Sequence, residues 1–128
     1  MQAGQFKTLM NPYEWLPPYG ETRISIRFDG NELSVDVVYD DEKSEAESLK
    51  TIKFTGVCSF TLSSIPGVNL SALVYEKVAL SGHLVEYEDS EAAKAWTEYL
   101  KYRQVRHYQV YFLSEKRRLE VFAGSWQL

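Results

Sequence analysis

His83, His107 and Cys58 are the only two imidazoles and the single thiol of the chain. Together they carry its best prospects for nucleophilic or metal chemistry, since an imidazole serves as base or ligand and a thiolate as nucleophile. None stands in a spacing that such chemistry uses: His-x-Glu, His-Glu-x-x-His, Cys-x-x-Cys and Gly-x-Ser-x-Gly are all missing. Cys58 falls in phase with Ile52, Phe54, Phe60 and Leu62, where a thiol behaves as a small core hydrophobe. Both histidines read as half-exposed strand positions. No cofactor is expected, and a ligand site, if one exists, would be a concavity lined by Tyr75, Tyr87, Tyr108 and Tyr111 with His83 or His107 alongside.

The carboxylates Asp40, Asp41 and Glu42, backed by Glu45 and Glu47, invite a divalent-cation reading. They lack the Asp-x-Asn-x-Asp-Gly order and the closing bidentate Glu of a calcium loop, so no metal is expected. A like-charged cluster instead steers a basic partner. The local basic counterpart is Lys101, Arg103, Arg106 and His107, interleaved with Tyr102 and Tyr108 in the manner of a nucleic-acid surface. Cations at the end of a helix equally complement its dipole. With 18 acidic against 14 basic residues the formal charge is -4, which repels phosphate, and nucleic acid is not expected as a partner.

Residues 1–20 hold three of the four prolines and no clean period, and read as an aromatic, proline-rich arm with one helical turn. Tyr13, Trp15 and Tyr19 give it the look of a recognition peptide. Pro17-Pro18-Tyr19 lacks the spacer of Pro-Pro-x-Tyr, and Asn11-Pro12-Tyr13 places its tyrosine one position early for Asn-Pro-x-Tyr. The arm is expected to cover the protein's own sheet edge or core, and otherwise to offer Tyr13, Trp15 and Tyr19 to a partner.

These 128 residues fit one domain, residues 1–128, with 45% hydrophobic and 25% charged residues in the ordinary globular range. One cysteine allows no internal disulfide, and residues 1–10 have neither a basic nor a continuous apolar region of a signal peptide. A cytoplasmic location is therefore expected. Residues 54–75 carry no charge, but they contain many Ser and Thr residues and Pro66-Gly67, and read as sheet and turn rather than membrane span. Asn69-Leu70-Ser71 fits a glycosylation sequon, which means nothing without secretion.

Alternation supplies the elements. Ile24, Ile26 and Phe28 share one strand face, and Leu33, Val35, Val37 and Tyr39 another. Even positions can face odd ones only across an even-numbered loop, so Gly30-Asn31 is the turn, pairing Phe28 with Leu33, Ile26 with Val35 and Ile24 with Val37. Residues 40–50 read as a long exposed connection with helical tendency. A third strand runs over residues 51–62 with a bulge or close approach at Gly56, and Ile65-Pro66-Gly67 marks a turn. Residues 70–87 change phase around Gly82, where one bulged strand is expected. Ser90 is an N-cap for a helix over about residues 90–102, with Trp96 and Leu100 on its packed face. A four-residue loop over residues 114–117 then pairs Phe112 with Leu119 and Val110 with Val121.

The expected fold class is α+β: a curved antiparallel sheet of about five to seven strands with one main helix on one face. The expected function is a non-catalytic protein-binding module, immunity- or adaptor-like in style, using Asp40, Asp41, Glu42, Tyr13, Trp15 and Tyr19. The alternative is a small-molecule-binding or enzymatic domain using His83, His107, Tyr87, Tyr108 and Tyr111. A homodimer through an exposed strand edge is compatible with either.

Overall fold

A computed structural model describes residues 6–64, 82–101 and 103–128. In chain order its elements are β1 (Phe6–Met10), a short 3-10 turn (Pro12–Glu14), β2 (Arg23–Asp29), β3 (Glu32–Asp41), β4 (Ala46–Thr55), β5 (Ser59–Ser64), β6 (Leu84–Tyr87), helix α1 (Glu91–Leu100), β7 (Arg106–Phe112), β8 (Arg117–Ala123) and β9 (Ser125–Gln127). The protein is mostly β, with one α-helix among the described residues.

The strands form two antiparallel sheets rather than one curved sheet, a five-stranded one in the order β1-β6-β7-β8-β5 and a four-stranded one in the order β2-β3-β4-β9. The reason lies at Gly56. The ladder between β4 and β9 keeps Phe54 opposite Trp126 and Thr55 opposite Ser125, and the ladder between β5 and β8 resumes with Ser59 opposite Phe122. Residues 56–58 therefore face residues 123–124, one residue more on the first strand, which is a β-bulge. Gly56 adopts φ +68, open to glycine at little cost, and Gly124 N–H bonds back to the carbonyls of Thr55 at 3.0 Å and Gly56 at 3.2 Å. The irregularity expected at Gly56 is thus the corner at which both strands pass from one sheet to the other.

Leu33, Val35, Val37, Ile52 and Phe54 from one sheet meet Leu84, Tyr108, Val110, Leu119 and Val121 from the other in a single buried cluster. Burial of this apolar area is the main force holding the sheets together. Phe54 and Tyr108 touch across the interface with ring centroids 5.4 Å apart.

The first hairpin has the register expected from parity, with Ile24 opposite Val37, Ile26 opposite Val35 and Phe28 opposite Leu33. Positive φ at Gly30, but not at Asn31, suits a type II′ turn. Residues 40–50 are not a helical connection: β3 and β4 extend through them, pairing Asp40 with Glu47 and Asp41 with Ala46, and only residues 42–45 turn. Asp41 steadies that tip by accepting from Lys43 N–H at 3.0 Å, so local side-chain bonding replaces the helix its composition suggested. The last hairpin also differs. Its four-residue loop is residues 113–116, so Val110 faces Leu119 and Tyr108 faces Val121, a slip of two from the expected pairing. Parity survives such a slip, so the inward faces are the expected ones.

Ser90 caps α1 by accepting from Ala93 N–H at 3.1 Å, and Lys101 ends it in the left-handed conformation. The helix docks by Ala93, its buried residue, while Trp96 and Leu100 are only half-buried. Thr97 explains the difference: its hydroxyl donates to Ala93 O and accepts from Val105 N–H, both at 2.9 Å, tying the Ala93 side of the helix to the start of β7. The arm is docked as well, through β1 on the edge of β6 and through Pro12, Leu16 and Pro17, which are buried. Cys58 is half-exposed beside Arg103, its Sγ 3.8 Å from Nη2, rather than in the core. The turn at Ile65-Pro66-Gly67, the phase change up to Ser81, Tyr75 and Tyr102 lie outside the described residues.

Candidate functional site

Among the described residues, two polar groupings contain the residues expected at a site. The first joins the arm to the tip of the β3–β4 hairpin. Because β3 extends to Asp41 and the chain after the 3-10 turn lies against it, Glu14, Trp15, Leu16 and Pro17 face Tyr39, Asp40, Asp41, Glu42, Lys43 and Lys50 across a cleft of about 430 Å³. Trp15 packs on Tyr39 with centroids 5.2 Å apart, and Lys50 Nζ lies 5.6 Å from the indole centroid, within reach of a cation–π contact. Trp15 Nε1 is buried without a hydrogen-bond partner. Tyr19, 61% exposed, sits at the rim with its hydroxyl 3.4 Å from Asp40 Oδ2. Four carboxylates, from Glu14, Asp40, Asp41 and Glu42, face two ammonium groups, from Lys43 and Lys50, leaving an excess of two negative charges.

This cleft brings together Trp15, Asp40, Asp41 and Glu42, with Tyr19 at its edge. It does not include Tyr13, which lines a separate cavity of about 10 Å³ with Leu16, Glu21 and Tyr111. Burial, reinforced by the nearby Glu21 carboxylate, pushes the Tyr13 phenol upward.

The second place is a buried polar network on the five-stranded sheet. His107 is 3% exposed, not half-exposed, and lies between the rings of Tyr87 at 4.8 Å and Phe122 at 4.4 Å. Its Nδ1 is 2.8 Å from Ser90 Oγ, and its Nε2 is 3.0 Å from Glu120 Oε2. Arg118 Nη2 donates to the same carboxylate oxygen at 3.0 Å and Arg118 Nε to Gln109 Oε1 at 2.7 Å, while Gln109 Nε2 donates to Tyr87 Oη at 2.8 Å. The His107 hydrogen bond, with help from Arg118, holds the Glu120 carboxyl below the usual carboxylate range against the opposing effect of burial.

Charge assigns the protons. An ionised Glu120 can only accept, so His107 carries its proton on Nε2, and a neutral ring then presents the Nδ1 lone pair to Ser90. With the ring in that form, the Ser90 hydroxyl donates to Nδ1, 2.8 Å away, while accepting from Ala93 N–H. Ser90 also lines a cleft of about 350 Å³ between α1 and the ends of β6 and β7, with Glu86, Glu88, Lys94 and Arg106 around it.

The residues expected around a Tyr/His concavity are divided between faces. Tyr87, His107 and Tyr111 share one face of the five-stranded sheet, whereas Tyr108 points into the intersheet core. His83 is half-buried with its Nδ1 unpartnered. The basic stretch is divided too, since Arg106 pairs with Glu86 at 3.0 Å and His107 is buried. Among the described residues no three His, Cys, Asp or Glu side chains are placed to hold a metal ion, and no helix is long and apolar enough to cross a membrane.

Neither Ser90 nor Glu120 is legible in the sequence as a site residue. Ser90 reads as a helix cap, a complete role in itself. Glu120 approaches His107 only diagonally across β7 and β8, with His107 opposite Phe122 and Gln109 opposite Glu120. The register expected from the loop would have placed Glu120 opposite Tyr111. Polar His107 and Gln109, alternating with apolar Tyr108 and Val110, were the available signal, but alternation of that kind usually marks a solvent face.

Fold and sites together define, among the described residues, two antiparallel sheets with one α-helix, an acidic cleft beside the N-terminal segment and a buried Ser-His-Glu network. Compared with known proteins, the chain matches no family model, no curated protein and no solved structure.

Proposed function

We propose that this is a cytoplasmic protein-binding module, immunity- or adaptor-like, whose arm–hairpin cleft acts by non-catalytic recognition of a basic segment of its partner. The supporting observation is the placement of Trp15, at the far end of the arm, against Asp40, Asp41 and Glu42 in one cleft. An aromatic face beside excess carboxylate suits a Lys or Arg side chain, whose stem packs on the ring while its head meets the acids. Lys50, already over Trp15, is the intramolecular version of that contact. The acidic net charge would speed encounter with a basic partner.

Affinity capture from native lysate, run with wild type and with Asp40→Lys and Asp41→Lys, tests the reading. A stoichiometric partner should bind wild type, weaken as salt rises and be lost with either charge reversal. Hydrogen exchange in that complex should slow around Trp15 and residues 39–50. A partner held equally by all three proteins, or protection elsewhere, overturns it.

A further inference from the structure

The Ser90–His107–Glu120 chain is more than a helix anchor needs. A capping serine is complete once it accepts from the first turn. Here its hydroxyl oxygen also lies 2.8 Å from Nδ1 of a buried imidazole, whose opposite nitrogen is 3.0 Å from a carboxylate oxygen. That is the order of contacts through which a base activates a hydroxyl nucleophile, with a third group orienting the base. Either imidazole nitrogen can act as the base; in this protein it is Nδ1. Ser90 lines a cleft of about 350 Å³, within the range that holds a small ligand. A serine serving only the helix requires no such cleft.

The geometry points to Ser90 as an acylatable nucleophile, with His107 as its general base and Glu120 as the residue positioning that base, acting on a small carboxylic ester in the cleft beside α1. This is independent of the acidic-cleft reading, which uses none of these residues. Ser90 Oγ attacks the ester carbonyl and its proton passes to His107 Nδ1. The bond from carbonyl carbon to the alcohol oxygen then breaks, and the alcohol leaves with that proton. Water, deprotonated by the same nitrogen, attacks the acyl-serine, releasing the carboxylic acid and restoring the Ser90 hydroxyl. No oxidant or metal takes part. The backbone N–H groups of Glu91 and Ala92, in the first turn of the helix, have no intrahelical acceptor and would serve as donors for the oxyanion.

Labelling of the full chain with a fluorophosphonate probe tests the proposal, since the probe forms a serine oxygen–phosphorus bond and expels fluoride. Wild type should take up one label per chain, on Ser90 by peptide mass spectrometry. Ser90→Asn keeps a good helix cap and should lose the label with its melting temperature retained. His107→Gln should slow labelling by about a hundredfold or more. Because His107 is buried, Glu120→Gln serves as the second variant. Its amide can donate to Nε2 and favours a proton on Nδ1, so nitrogen NMR should show the changed tautomer and labelling should slow, with Glu120→Asp restoring both. Arg27→Ala, on the four-stranded sheet and outside both clefts, should label like wild type. A wild type that takes no label, a label surviving Ser90→Asn, or a Glu120→Gln protein whose tautomer changes without loss of labelling overturns the proposal.

Discussion

The carboxylate of Glu21 accepts the backbone N–H of Ser114 at 3.1 Å, across 93 positions of sequence, and that of Glu115 at the same distance. The Ser114 hydroxyl in turn donates to the backbone carbonyl of Glu21. Glu21 is 4% exposed, so the end of the arm is clamped to the last hairpin by a buried acid. Glu21→Ala leaves two N–H groups without their acceptor and should cost about 2 to 3 kcal/mol. Urea denaturation should show a lower midpoint at an unchanged slope, since the surface exposed on unfolding stays the same.

Gly56 and Gly30 both have positive φ but differ in surroundings. A Cβ at Gly30 meets nothing within 4 Å, whereas one at Gly56 would lie 2.7 Å from Arg103 Nη1. Gly30→Ala should therefore cost about 1 kcal/mol, from backbone strain alone. Gly56→Ala adds displacement of the Arg103 guanidinium, with an expected total of about 2 kcal/mol. Melting temperatures of the two variants should rank in that order.

Tyr108 has its phenol pushed up to about 12, first by burial and then by the Glu86 carboxylate. In the unfolded chain it titrates near about 10. The folded state thus holds the proton more tightly, and the associated stability is full below about pH 10 and lost as pH rises towards about 12. Absorbance titration should show a late phenolate that ionises together with unfolding and vanishes in Tyr108→Phe.

Asp36 accepts both Arg27 Nε at 2.8 Å and Arg27 Nη2 at 2.9 Å, and the Thr51 hydroxyl at 2.7 Å. The Arg27 hydrogen bond first, then Thr51, holds its carboxyl below the usual range. Glu120 is held low in the same direction. For both groups the unfolded chain binds the proton more readily, so their stabilisation is present above the unfolded pKa and disappears as pH falls through the folded one. Acid unfolding should be less steep in Asp36→Asn. Arg27→Ala should have a small effect at neutral pH, because its side chain is 64% exposed and the pair is screened.

The extent to which this protein can be read from its residues varies element by element. Ile24, Ile26 and Phe28 against Leu33, Val35 and Val37 determine a hairpin with one admissible register, because a two-residue glycine turn leaves no freedom in the pairing. Ser90 determines the helix start through a contact three residues long. Those features are local, and local periodicity carries them.

What joins distant segments was decided by tertiary structure. Gly56 signals an irregularity, but its use as a corner between sheets depends on Gly124 lying opposite it, and nothing in either neighbourhood specifies that pairing. The last hairpin keeps its parity yet settles two residues away from the expected register, where Glu21 clamps its loop. That slip is what sets Glu120 within 3.0 Å of His107. Side-chain alternation repeats every two residues, so it determines which face a residue occupies and is blind to shifts of two. The choice among such registers rests on long-range contacts, and the Ser-His-Glu chain follows from that choice, while the acidic cleft follows from the docking of the arm against the β3–β4 hairpin.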